Sequence, residues 1–163
     1  MRMLALIAVW LLMNVGFGHA QTNRSGDLKG MTQIHLLIET LTDDAKACGI
    51  TEELIRDAFM YPASSSRLQI TSDPASPTFY IQVSTLRLNP EGICFSGVNY
   101  ESYNSQFVQP YFAPTPKLYD VVFWKTGYVF FSGKNQHVQL LKENIEDHVK
   151  RFLTTWNLDN KPN

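Results

Sequence analysis

The sequence lacks most of what would tie it to a familiar chemistry, and each absence excludes something. Charge of neither sign is in excess: 14 Lys+Arg stand against 15 Asp+Glu, for a net charge of −1. Without a basic stripe to neutralise phosphates, nucleic acid is excluded as a partner. There is no G-x-S-x-G, H-E-x-x-H, P-loop or G-x-G-x-x-G, so the common hydrolase, zinc-protease and nucleotide-binding signatures are missing. Cysteine is limited to Cys48 and Cys94, with no C-x-x-C and no close Cys–His spacing, which argues against a clustered metal site. Beyond Gly18 no apolar run approaches the roughly 20 residues of a spanning helix. No membrane span is expected after the N-terminus, and no metal or cofactor.

What is present begins with a leader. Met1-Arg2-Met3 is a short positive region, followed by the uncharged apolar run "LALIAVWLLMNVGFG" from Leu4 to Gly18. Gly18-His19-Ala20 then sets small residues three before and one before a cut ahead of Gln21, the layout of a cleaved secretory signal peptide over residues 1–20. No twin arginine precedes the run and no cysteine follows the cut, which argues against a Tat substrate or a lipoprotein. Cleavage would leave 163 − 20 = 143 residues, with 13 Lys+Arg (14 less Arg2) against 15 Asp+Glu. A chain of that size folds as one ordinary domain without needing a metal. Its expected location is the periplasm or the medium outside the cell.

Export carries the two thiols to an oxidising space, and two cysteines permit one pairing. A Cys48–Cys94 bridge closes a loop across 94 − 48 = 46 residues. In the chain-entropy treatment that stabilises the fold by about 4 kcal/mol. A nucleophilic role would need a nearby histidine and a depressed pKa, and the sequence offers no sign of either.

Along the mature chain, residues 21–29 are polar and read as a flexible segment, residues 30–157 as one domain and 158–163 as a tail. Ile34, Leu37, Ile38, Leu41, Ala45 and Cys48 recur at spacings of three and four, which predicts a helix from Met31. Gly49 can end it in a left-handed conformation, and Thr51 can cap a second helix whose apolar side is Leu54, Ile55, Ala58 and Phe59. Pro62 should close that unit. The period then changes to two. Strands are predicted at 67–71, 78–88 and 93–103, then two more, "YDVVFW" and "YVFF", joined by a turn at Lys125-Thr126-Gly127. Val138, Leu141, Ile145, Val149, Phe152 and Trp156 mark a long closing helix, with i,i+4 ion pairs on its outer side. The expectation is an α+β, two-layer domain: an antiparallel sheet of about four to five strands with N-terminal and C-terminal helices on one face.

The staple sorts the sheet into two faces. If Cys94 points toward the helices, Ser96, Val98 and Tyr100 share its side, while Ile93, Phe95, Gly97 and Asn99 point away. "VVFW" and "YVFF" alternate poorly, as strands covered on both faces do. A two-layer domain has no cover of its own for the second face. Ile93, Phe95, Trp124 and Phe130 are therefore candidate partner-binding residues on an aromatic docking surface. The alternative is a third layer built from the proline loop 108–117 or the N-terminal segment.

The remaining chemistry-bearing residues converge on nothing. His137 and His148 share a helical face about 16 Å apart, too far to hold one metal, and read as helix-surface residues. Ser64, Ser65 and Ser66 follow a proline and suit backbone hydrogen bonds. No catalytic residue is assigned. The stretches "ACGITEELIRDAFMYPASSSRLQI", "YIQVSTL" and "VKRFLTTWNLDN" resemble small exported bacterial proteins of uncharacterised function. That resemblance implies a bacterial, periplasmic setting and assigns no functional residue. The reading is thus a non-catalytic exported interaction or accessory module, which binds a protein partner or associates with itself. The rivals are a small periplasmic hydrolase or isomerase whose site assembles in space, and a homo-oligomer paired through its sheet edge.

Overall fold

The computed structural model describes residues 27–88 and 92–162. The expected leader, the residues after it up to 26, and most of the turn after residue 88 lie outside the described residues. The chain runs as β1 (Gln33–Ile38), α1 (Asp43–Ala47), α2 (Glu52–Ala63), β2 (Gln69–Thr71), β3 (Thr78–Leu88), β4 (Ile93–Val108), β5 (Lys117–Gly133) and α3 (Lys134–Asp159). The strands form one sheet in the order β2-β1-β3-β4-β5. The long ladders β3–β4 and β4–β5 are antiparallel, as expected, but β1 is parallel to both β2 and β3. The fold is a mixed one, a mostly antiparallel five-stranded sheet with helices.

The first predicted helix is a correction. Residues 33–38 form β1, and only Asp43–Ala47 are helical. "QIHLLI" satisfies a period of two as well as one of 3.6: Ile34 and Leu36 are buried, while His35 and Leu37 lie on the opposite side. A short apolar run is ambiguous on periodicity alone, and pairing between β2 and β3 decides it. The signal that resets the chain is Thr42, whose Oγ1 accepts the Ala45 N–H at 3.2 Å and caps α1. Gly49 does take positive φ, at 87°, and Thr51 does cap α2 through the Leu54 N–H. Pro62 sits inside the last turn of α2 rather than ending it, where a missing donor forfeits only one bond.

The second correction concerns β5. No turn interrupts it: Lys117–Gly133 is one strand paired with β4 along its length. Gly127 has no positive φ. It is glycine because a Cβ there would stand 3.0 Å from Asn99 Oδ1 and 3.2 Å from the Val98 carbonyl oxygen. "VVFW" and "YVFF" also do not alternate cleanly, partly because a register shift between Ser102 and Tyr103 sets Phe123 out of phase.

One face of the sheet packs against all three helices. Phe79 lies between helices, its ring 5.2 Å from Phe59 of α2 and 4.9 Å from Phe152 of α3, and Trp124 is 5.4 Å from Phe152. Burying these aromatics is worth about 1.5–3 kcal/mol each before packing terms. α1 is tied on by the Cys48–Cys94 disulfide, with Cα atoms 6.2 Å apart. The first and last described segments lie against one another. Leu28, assigned by sequence to a flexible segment, is buried; its N–H donates to Asp159 Oδ2 at 3.1 Å, and the Trp156 indole N–H donates to the Met31 carbonyl at 2.7 Å.

Candidate interaction surface

Alternation along β4 divides its residues as the staple requires. Cys94, Ser96, Val98, Tyr100 and Ser102 are all buried beneath the helices. The other set, with its cross-strand partners, makes the helix-free face. Rows run Leu88–Ile93–Gly133, Leu86–Phe95–Phe131 and Ser84–Gly97–Val129 across β3, β4 and β5. Leu86, Leu88, Phe95, Val129 and Phe131 are exposed, Phe95 at 43% and Phe131 at 72%. Six apolar side chains, counting the half-buried Ile93, thus adjoin on three strands. Gly97 and Gly133, which carry no side chain, lower the surface beside them. Further along the same face the rows turn polar: Asn99 donates to Gln82 Oε1 at 3.0 Å, and Lys125 pairs with Glu101. Tyr80 there donates to Glu39, and its pKa is pushed up to about 12, chiefly by burial and then by that carboxylate.

Of the four residues assigned to this face from sequence, the structure brings two together. Ile93 and Phe95 stand in adjacent rows. Trp124 and Phe130 point the other way: Trp124 is 1% exposed and Phe130 is also core, because both pair with inward residues, Ser102 and Ser96. The aromatic of "YVFF" exposed on this face is Phe131, one residue later, with Val129. Strict alternation from Cys94 through the β4–β5 register would have found both, but the register depends on β5 being unbroken.

No third layer forms from the proline loop. Beyond Tyr103, which pairs with Thr78, β4 and β5 bond only to each other and run on as a two-stranded arm. Residues 109–116 are its tip. Tyr111 is fully exposed, and Phe107 and Phe112 are largely so.

Two buried histidines and one groove lie on the helical side. His137 and His148, read from sequence as surface residues, are both buried. His148 stacks on Tyr100 at 4.7 Å, and its Nδ1 donates to the Asn144 carbonyl at 2.9 Å. Tyr100 O–H donates to Asn144 Oδ1 at 2.6 Å, and burial raises its pKa. His137 has Ser96 Oγ 2.8 Å from Nε2 and Ser132 Oγ 2.9 Å from Nδ1, with Thr85 Oγ1 2.7 Å from Ser96 Oγ. A serine bonded to an imidazole is the geometry of a nucleophile and its base. Here the imidazole's second nitrogen faces another serine, not a carboxylate, and Ser96 and His137 are sealed from solvent, so no substrate can reach them. Burial lowers the His137 pKa. Among the described residues no three His, Cys, Asp or Glu side chains converge as metal ligands would. A groove of about 620 Å³ runs between the outer edge of β5 (Tyr128 to Phe131) and one stripe of α3, including Leu140, Asn144 and His148.

No protein-family model matches the chain, and no curated protein does. Among solved structures it is similar to a minor lipoprotein from Acinetobacter baumannii, at 9% identity, with 80% of this chain and 92% of that chain covered and a TM-score of 0.40. It is also similar to a PelC dodecamer from Paraburkholderia phytofirmans, at 14% identity, with 82% and 89% covered and a TM-score of 0.39. No described helix is long and apolar enough to cross a membrane.

Proposed function

We propose that this chain is an exported, non-catalytic interaction module: a two-layer domain that holds a protein partner on the uncovered face of its sheet. The observation that carries this reading is the contiguous patch of Leu86, Leu88, Ile93, Phe95, Val129 and Phe131, which no described residue covers. Large apolar side chains gathered on one side of a soluble domain mark a docking surface, whereas singly scattered ones do not. Two glycines beside the patch give a knob from a partner somewhere to sit. The disulfide suits an oxidising compartment, and it braces β4 from the helical side. The Ser96–His137 pair supports packing in place of catalysis, since it is closed to solvent.

The test uses Phe95→Asp. Its side chain lies on the uncovered face, so the charge should leave the fold intact and abolish partner capture in a cross-linking pull-down from the native envelope. Unchanged capture by a folded Phe95→Asp chain would end the proposal.

A further inference from the structure

The patch is not the only feature of the sheet left unpartnered. β5 is the last strand of the sheet and is hydrogen-bonded on its β4 side alone. From Thr126 to Gly133 it reads "TGYVFFSG", with no charge and no proline. Natural edges are blunted by lysine, proline, a bulge or a covering element. Along this stretch none of these is present, and the one shift in the β4–β5 register is far off at Ser102/Tyr103. An uncharged, β-prone run with its backbone open is a template for another strand.

We infer that a second copy of this chain pairs with β5, antiparallel and about a two-fold axis at Phe130, joining the two five-stranded sheets into one. The segment is self-complementary in that register. Gly127 falls opposite Gly133, Tyr128 opposite Ser132, and Val129 opposite Phe131 of the other copy. Val129 and Phe131 both stand on the helix-free face, so each covers the other across the axis. Cross-strand apolar pairs of this kind stabilise a ladder. No like charges are directly opposed: Lys125 falls opposite Asn135, past the end of the strand, and Lys134 falls opposite Thr126. On the helical side the groove beside Tyr128 and Phe130 leaves room for the incoming strand, and the half-exposed Leu140 would meet its counterpart there. The charges along that stripe of α3 are largely met within the chain: Arg151 holds Asp147 at 2.8 Å, and Gln139 donates to Glu143.

Pairing through β5 takes up Val129 and Phe131, the β5 margin of the partner surface proposed above. It leaves Leu86, Leu88, Ile93 and Phe95 free and doubles the face.

The purified mature chain, measured by sedimentation, should have the mass of two chains, and Val129→Lys should reduce it to one. Val129→Cys and Phe131→Cys test the register, since both native cysteines are already paired. Co-expressed, the two variants should form an intermolecular disulfide, whereas either alone should form far less. A monomeric wild-type chain, a dimer that survives Val129→Lys, or a mixture no better cross-linked than the single variants overturns the inference. Phe95→Asp separates the two proposals. Loss of partner capture with the dimer intact supports both, and loss of the dimer assigns self-association to the face and overturns pairing through the edge.

Discussion

Ser96 Oγ lies 2.8 Å from Nε2 of His137, and the two residues are sealed between β4 and the first turn of α3. Such a contact invites a catalytic reading that its burial denies, and it leaves a mark on stability instead. Burial lowers the pKa of His137 below the usual 6.5. The unfolded chain therefore takes up a proton more readily than the folded one. The contribution of neutral His137 is fully present above pH 6.5 and is lost as pH falls through the lower folded value, at up to about 1.36 kcal/mol per pH unit. Urea midpoints measured on either side of that window should fall more steeply for the wild type than for His137→Gln. Parallel curves would show that His137 is not held neutral by the fold.

The disulfide gives a second expectation. Cys48 follows the last turn of α1, and Cys94 is the second residue of β4. Replacing both with alanine should lower stability by about 4 kcal/mol by the loop-entropy argument. Urea unfolding of the double variant beside the wild type, with and without reductant, reads this out. Reductant should shift the wild type alone.

Trp124 and Phe131 are both aromatics of β5, seven positions apart and on opposite faces. Trp124→Ala should cost about 3–5 kcal/mol, as removal of a large buried ring does. Phe131→Ala should change the stability of the monomer by less than about 0.5 kcal/mol. Equal costs in urea unfolding would mean that the face bearing Phe131 is covered.

The arm carries no core residue: none of residues 105–120 is buried. Replacing 105–120 with a two-residue Asn-Gly connection between Asn104 and Val121 should leave the melting temperature within a few degrees, since that turn suits a hairpin's twist. A large drop would show that the arm folds back onto the body.

Much of the fold could be read from the sequence wherever one periodicity ruled. β3 and the first half of β4 alternate, α3 keeps one stripe, and Thr51 and Gly49 punctuate α2 and α1 as their chemistry demands. β1 escaped because "QIHLLI" fits either period, and only its parallel neighbours choose between them. β5 escaped because Gly127 looks like a turn residue, whereas it answers to the Asn99 side chain across the ladder. That error carried into the surface. With β5 broken in two, Trp124 and Phe130 could be placed outward, and once it is continuous they go into the core. Burial of His137 and His148 depended on how deeply α3 is seated, which a helical stripe alone does not state.

A photo-cross-linking amino acid at Phe95 tests, in the intact envelope, whether the helix-free face holds the proposed partner. With the probe at Phe95, irradiation should yield a covalent adduct with another protein, and the same probe at the exposed Thr154 of α3 should yield none. An adduct from Thr154 with none from Phe95 would place the interaction on the helical side and contradict the account.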